Sequence, residues 1–291
     1  MRVLITGASG LLGSKIAEIA VNQGCEVYSA YKDHYPEYGF PVKIDLTDKA
    51  SCEKAFEIAK PEVVIHSAAL TNVDLCEKEK ELAWRINVEG TKIVSNLCRN
   101  RFLIFVSTDY VFDGERGFYS EEDKPNPINY YGYTKLLAEK AVKELENYAI
   151  VRTSVIFGSK PASGKTNFAL WVIENLKNER KISVVTDQIN SPTLNKNLAE
   201  MILEIAERNL KGIYHLAGAS AVSRYNFARL IAKEFDLNAE LIEPATSDKI
   251  NWIAKRPRNT SLNVSKALKE LKRKPMDIRK ALRELRNEMK I

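Results

Sequence analysis

Two periods of apolar and polar positions take turns along the 291-residue chain. RVLITGA, residues 2–8, is an almost unbroken apolar and β-branched run, and the positions from Leu11 to about Asn22 then recur at helical spacing. The same exchange repeats downstream. EVYSA (26–30) reads as a strand, a helix begun by Thr47 as N-cap runs through KASCEKAFEIAK, and EVVIHSAA (62–69) reads as a third strand. A long helix over roughly 82–99, the strand FLIFVST (102–108), a helix from the Tyr131 segment to about Glu146 and the strand AIVRTSVIFG (149–158) continue the series. Strands this uniformly apolar need cover on both faces, so the pattern predicts an α/β fold with a doubly wound parallel sheet between helices.

After Gly158 the spacing becomes less regular. A loop SKPASGKT (159–166), a helix from about Asn167, the strand SVVTD, the helix NKNLAEMILEIAER, the strand GIYHLAG and the helix SRYNFARLIAKEF predict a smaller C-terminal lobe. No repeat or low-complexity linker separates the parts. The expected division is therefore 1–158 and 159–291, packed as one compact body.

Composition narrows the class. The net charge of +6 suggests nucleic acid until its distribution is read: residues 264–291 hold ten Lys and Arg against four acids, an excess equal to that of the whole chain. Within that tail, Ile278, Ala281, Leu282 and Leu285 fall at helical spacing, which predicts an amphipathic helix over 277–289 docked on the body with a solvated basic face. No nucleic-acid partner is expected. No apolar run approaches the roughly 20 residues of a membrane helix, and RVLITGA lacks a signal-peptide pattern, so neither a membrane nor secretion is expected and the predicted location is cytoplasmic. Cys25, Cys52, Cys76 and Cys98 form no CxxC, and His34, His66 and His215 have no ligand spacing, so no metal site is expected and the thiols should be free.

TGASGLLG places glycines at 7, 10 and 13 immediately after the first strand and at the opening of the first helix. Such a turn lets backbone approach a pyrophosphate held by amides and the positive helix end. In INYYGYTK (128–135), Tyr131 and Lys135 stand four apart on one helical face, whereas Tyr130 would face Thr134 and Tyr133 would face Leu137. Only Tyr131 has a cation beside it on its own helix.

GxxGxxG near the N-terminus, YxxxK on a later helix and a Ser/Thr upstream of that tyrosine resemble the extended branch of the short-chain dehydrogenase/reductase superfamily. More closely, STDYVFDG (107–114), YGYTK (131–135), VRTSVIFG (151–158), DQINSPT (187–193), GIYHLAG (212–218) and RPRNTSL (256–262) resemble the dTDP-4-dehydrorhamnose reductase family, in the expected order from Met1 to about Lys266. The resemblance implies a Rossmann-like sheet with a substrate lobe. It assigns Thr108 to polarising the substrate carbonyl, Tyr131 to donating the proton, and Lys135 to lowering the tyrosine pKa and holding the nicotinamide ribose. An alkoxide formed by hydride addition needs a proton, and a tyrosine near pKa 10 gives one readily only if a cation stabilises its phenolate.

The same resemblance assigns the coenzyme to Gly7, Ser9, Gly10, Leu11, Leu12 and Gly13, with Asp45 and Leu46 beside the adenine and Ala68 and Ala69 beside the inner ribose. The second strand ends YSAYK, with Ala30 and then Lys32 where NAD enzymes carry an acid, which predicts NADP(H) in preference to NAD(H). Thr71, Val73, Asp109, Tyr110, Val155, Gln188 and Ser191 match positions on the sugar side. One departs from the family: Val155 stands where RTSW has its tryptophan. The expected activity is reduction of the 4-keto group of a nucleotide-linked 6-deoxyhexose, dTDP-4-dehydrorhamnose to dTDP-L-rhamnose. A non-catalytic dinucleotide-binding subunit of the methionine adenosyltransferase type and a nucleotide-sugar epimerase are the alternatives. Oligomeric state stays open, a homodimer included.

Overall fold

The computed structural model describes residues 1–161 and 166–290. Part of the loop expected at 159–166 lies outside them. Seven strands form one sheet: β1 (Arg2–Thr6), β2 (Glu26–Tyr31), β3 (Phe40–Lys43), β4 (Val63–His66), β5 (Phe102–Thr108), β6 (Tyr148–Thr153) and a last strand, Gly212–His215. From one edge the order is Gly212–His215, β6, β5, β4, β1, β2, β3, and every pairing is parallel. The chain reverses direction across the sheet between β1 and β4. A crevice opens there at the carboxyl ends of the strands, where ligands of doubly wound sheets bind.

The apolar strands are explained by burial on both faces. In β1, Val3 and Ile5 join Ile16 and Ala17 of the helix Gly13–Asn22 and Leu198 and Ile202 of the helix Asn195–Arg208. Leu4 points the other way, into a cluster with Phe56, Val94, Phe105 and Val142. A third cluster, built around Phe157, Phe227, Leu282 and Leu285, is the core of the C-terminal lobe. The basic C-terminal helix Ile278–Met289 docks there as its spacing predicts: Ile278, Ala281, Leu282 and Leu285 are buried, and Arg279, Lys280 and Arg283 are exposed.

Three expectations are corrected, and one strand is added to them. The division at Gly158 is crossed twice, because Gly212–His215 returns to the central sheet beside β6 and Asn195–Arg208 packs on its first face. The helix Lys49–Ala59 is capped by Asp48, whose carboxylate accepts from the Ala50 amide, and not by Thr47. The long helix over 82–99 is interrupted by a π-helical turn, Trp84–Glu89, ahead of Gly90–Leu97. Strand β3 carries no sequence signal: it is a four-residue edge strand containing Pro41, which an edge tolerates because one side of its ladder is free.

No helix among the described residues is long and apolar enough to cross a membrane. Cys52, Cys76 and Cys98 are buried, Cys25 is half-buried, and all four are free.

Candidate functional site

A cavity of about 680 Å³ occupies the crevice and runs from the glycine turn to the lobe. The end at the glycine turn is shaped by backbone. Gly7 sits at φ 70°, and a Cβ at Gly13 would collide with the Gly7 carbonyl oxygen, so the turn closes only with glycine at these places. Residues 7 and 9–13 line the cavity, and no side chain caps the helix that begins at Gly13. A glycine-built turn that leads into a helix start with no side-chain cap fits a diphosphate.

Lys32, Asp45, Leu46, Ala68 and Ala69 also line this end. The Lys32 ammonium lies 2.9 Å from an Asp45 carboxylate oxygen. Burial works to raise the Asp45 pKa, but the hydrogen bonds from Lys32 and Thr47 prevail and hold it at about 2. Deeper in, His66 links the strands: its Nδ1 is 2.6 Å from the Thr6 hydroxyl and its Nε2 is 3.1 Å from that of Thr91. Burial, assisted by the nearby Lys135 charge, pushes this imidazole down to about 3. It is a neutral strand-end residue, as its sequence context suggests, and it does not face the cavity.

The chemistry-bearing end is held by the helix Tyr130–Val142. Asn129 caps it by accepting from the Gly132 amide at 2.9 Å, and a Cβ at Gly132 would collide with the Tyr110 carbonyl oxygen, so this glycine lets the helix press against the segment after β5. Tyr131 and Lys135 then both line the cavity, whereas Tyr133 is 44% exposed and pairs with Tyr130 at a ring distance of 5.8 Å on the outside. Of the three tyrosines, Tyr131 alone lines the cavity. Thr108, at the end of β5, lines the cavity with Tyr131, and its hydroxyl works to lower the Tyr131 pKa.

The expected electrostatic relation between Tyr131 and Lys135 is corrected. Burial pushes the Tyr131 phenol above its ordinary range, and the Thr108 hydroxyl is the group that pulls it back. Lys135 is only 3% exposed; its Nζ donates to the Val106 carbonyl at 2.8 Å and lies 4.0 Å from the Phe105 ring centroid. Burial pushes this ammonium down to about 7, and Glu139, one helical turn on, pulls it back up. Desolvation dominates both groups because the low-dielectric wall between β5 and the helix disfavours either charge.

Asp109 acts as a hub. Its carboxylate accepts from the hydroxyls of Thr108 (3.2 Å), Ser154 (2.7 Å) and Thr260 (2.5 Å), which ties β5 to VRTSVIFG and RPRNTSL. Burial raises its pKa and these hydrogen bonds oppose the rise. Thr71, Val73, Tyr110 and Val155 stand beside it on the cavity wall. Gln188 and Ser191 do not reach the cavity: the Gln188 carbonyl accepts from the Arg224 amide, and the Ser191 hydroxyl accepts from the Leu262 amide. They brace the wall from behind.

Val155 carries strain. Its φ of 41° is a left-handed conformation that β-branched residues avoid, and the Thr193 amide bonding to its carbonyl at 3.1 Å helps hold it there.

The whole chain, residues 1–291, matches the family described as RmlD substrate binding domain. The chain belongs to that family. It is 34% identical to the probable low-salt glycan biosynthesis reductase Agl14 of Haloferax volcanii, over 93% of this chain and 92% of that protein. The dTDP-4-dehydrorhamnose reductase of Bacillus anthracis, solved in complex with NADP, is 32% identical and superposes with a TM-score of 0.88 over 99% of each chain. Methionine adenosyltransferase 2 subunit beta of Danio rerio is 31% identical over 91% of this chain and 83% of its own.

Two residues of this RmlD family member escaped sequence reasoning. Asn87, in the π-helical turn, accepts from the Leu70 amide and donates to the Thr134 hydroxyl, so it locks a cavity wall to the turn between Tyr131 and Lys135. Its signal is a break in helical geometry, which side-chain periodicity does not reveal. Arg224, the first residue of the helix Arg224–Glu234, lines the cavity at the lobe end. A cation at the positive end of a helix, directly after the capping Ser223, runs against the dipole preference and could have drawn attention.

Proposed function

We propose that the protein is an NADP(H)-dependent reductase of the 4-keto group of a nucleotide-linked 6-deoxyhexose, with dTDP-4-dehydrorhamnose to dTDP-L-rhamnose as the favoured reaction. One observation carries the reading: Thr108, Tyr131 and Lys135 line the same cavity as the glycine turn, so a proton donor meets the end of a dinucleotide-shaped trough. A coenzyme held along the glycine turn would supply the hydride. Thr108 and Tyr131 orient the ketone oxygen, and Tyr131 gives that oxygen its proton as negative charge develops. Lys135, whose pKa burial lowers to about 7, lines the cavity beside Tyr131 and would offer the ribose a donor. The Bacillus anthracis relative supports both the substrate class and the coenzyme.

The decisive assay is incubation with NADPH and a panel of dTDP-4-keto sugars, following loss of the nicotinamide absorbance and identifying the product sugar. Turnover with at least one keto sugar is the expected result. A protein that binds NADPH yet reduces none of them would instead support the non-catalytic reading, which the Danio rerio relative favours.

Coenzyme choice has its own test. Lys32 is about half exposed, and its three donors leave room for a 2′-phosphate beside Asp45. NADPH should bind more tightly than NADH in fluorescence titrations, and Lys32→Ala should narrow the gap severalfold. An unchanged gap would remove Lys32 from coenzyme selection.

A further inference from the structure

Three cations line the cavity among the described residues, and two are engaged: Lys32 by Asp45 and Lys135 by the Val106 carbonyl. Arg224 is the third. Among the described residues no carboxylate lies within ion-pair distance of its guanidinium, which is held 5.0 Å over the Phe168 ring. The neighbouring Arg256 differs, since Asp74 pairs with it at 2.9 Å. No acid occupies the first turn of the helix that Arg224 begins, so its charge sits at the positive end of that helix uncompensated. Asp109, whose charge it feels, is already occupied by three hydroxyls. A half-buried guanidinium arranged in this way, planar and pre-oriented by stacking, suits an anion that comes with the ligand.

We propose that Arg224 is the anchor for the diphosphate of the sugar nucleotide. Its placement agrees with the reductase reading on which this inference rests. Tyr110 touches Tyr131 edge-on, with ring centroids 6.1 Å apart, and Tyr110 in turn feels the Arg224 charge. Arg224, Tyr110 and Tyr131 thus line one cavity, with Tyr110 close to the proposed proton donor. In a nucleotide-linked hexose the 4-position and the anomeric phosphate lie across one sugar ring from each other. Arg224 also belongs to the lobe while Tyr131 belongs to the sheet domain, so a substrate gripped at one end by each would be fixed across the crevice.

The test compares binding of thymidine diphosphate, uridine diphosphate and thymidine by calorimetry in the presence of NADPH. Wild type should prefer thymidine diphosphate to thymidine. Arg224→Met keeps the aliphatic stem on Phe168 and removes the charge-assisted fork. It should weaken thymidine diphosphate by about tenfold to a hundredfold, the scale of a lost charged hydrogen bond, with thymidine and NADPH affinities unchanged. Arg224→Lys keeps the charge without the fork and should fall between, which also guards against a folding defect in the methionine variant. Equal diphosphate binding by wild type and Arg224→Met would overturn the proposal, as would a wild type that binds neither diphosphate more tightly than the nucleoside. The keto-sugar assay is independent of these measurements, so normal turnover by wild type with either negative result would sink the Arg224 assignment alone.

Discussion

Tyr131→Phe will lower turnover by roughly a hundredfold to ten-thousandfold, the usual contribution of a positioned general acid, while NADPH binding stays close to wild type. The substitution removes one oxygen from a half-buried ring whose backbone is fixed by the Asn129 cap and the close approach at Gly132. Its effect is therefore confined to the hydroxyl whose pKa Thr108 works to lower. Tyr130→Phe and Tyr133→Phe are the controls and should stay within severalfold of wild type. Those rings face outward, with Lys80 over Tyr130 at 5.4 Å, and neither lines the cavity. Lys135→Met should be worse than Tyr131→Phe for coenzyme affinity, since the proposed mechanism has Lys135 hold the ribose. Steady-state kinetics with a reducible keto sugar, alongside NADPH titration of each variant, decides the matter. Normal turnover by Tyr131→Phe would unseat the whole assignment.

The largest stability effect belongs behind the site. Arg152 is 1% exposed and Glu139 is fully buried, and they bond through two pairs, Nε to Oε1 at 2.9 Å and Nη2 to Oε2 at 2.8 Å. Ser107 adds a third hydrogen bond to Glu139 at 2.6 Å, directly before Thr108 in sequence. Breaking one side of such a pair leaves a buried charge without a partner, which costs about 3–5 kcal/mol. Glu139→Gln should therefore destabilise strongly in urea melts. The double variant Glu139→Gln with Arg152→Met removes both charges and should recover a substantial part of the loss, giving a non-additive double-mutant cycle. Additive losses would mean that the pair contributes through packing alone. Because Ser107 and Lys135 both neighbour Glu139, the single variant should also disturb turnover at temperatures where it remains folded.

The division between sequence and fold can be drawn residue by residue. The continuous apolar runs of β1, β4 and β5 announce strands buried on both faces, and only a parallel sheet with two helical layers provides that burial. The glycines of TGASGLLG and the four-residue step from Tyr131 to Lys135 are equally plain, since a tight turn and a helical face are local geometry and local spacing encodes them. The amphipathic C-terminal helix belongs with these. Strand β3 and the π-helical turn do not, because one is an edge that pairing alone stabilises and the other changes hydrogen bonding without changing the apolar pattern.

Tertiary structure decided what lies between elements far apart in the chain. Sequence placed Gln188 and Ser191 on the sugar side, but neither lines the cavity: the Gln188 backbone carbonyl accepts from the Arg224 amide and the Ser191 hydroxyl from the Leu262 amide, and nothing in DQINSPT itself indicates which way it faces. It gave Tyr131 a cation to lower its pKa, yet burial prevails for both tyrosine and lysine, and burial is a property of the packed wall. The return of Gly212–His215 to β6, the three hydroxyls converging on Asp109, and Arg224 meeting the cavity from the opposite lobe follow the same logic. Each depends on contacts between segments separated by tens of residues, whose energy comes from desolvation and long-range pairing, and those terms exist only once the chain has closed on itself.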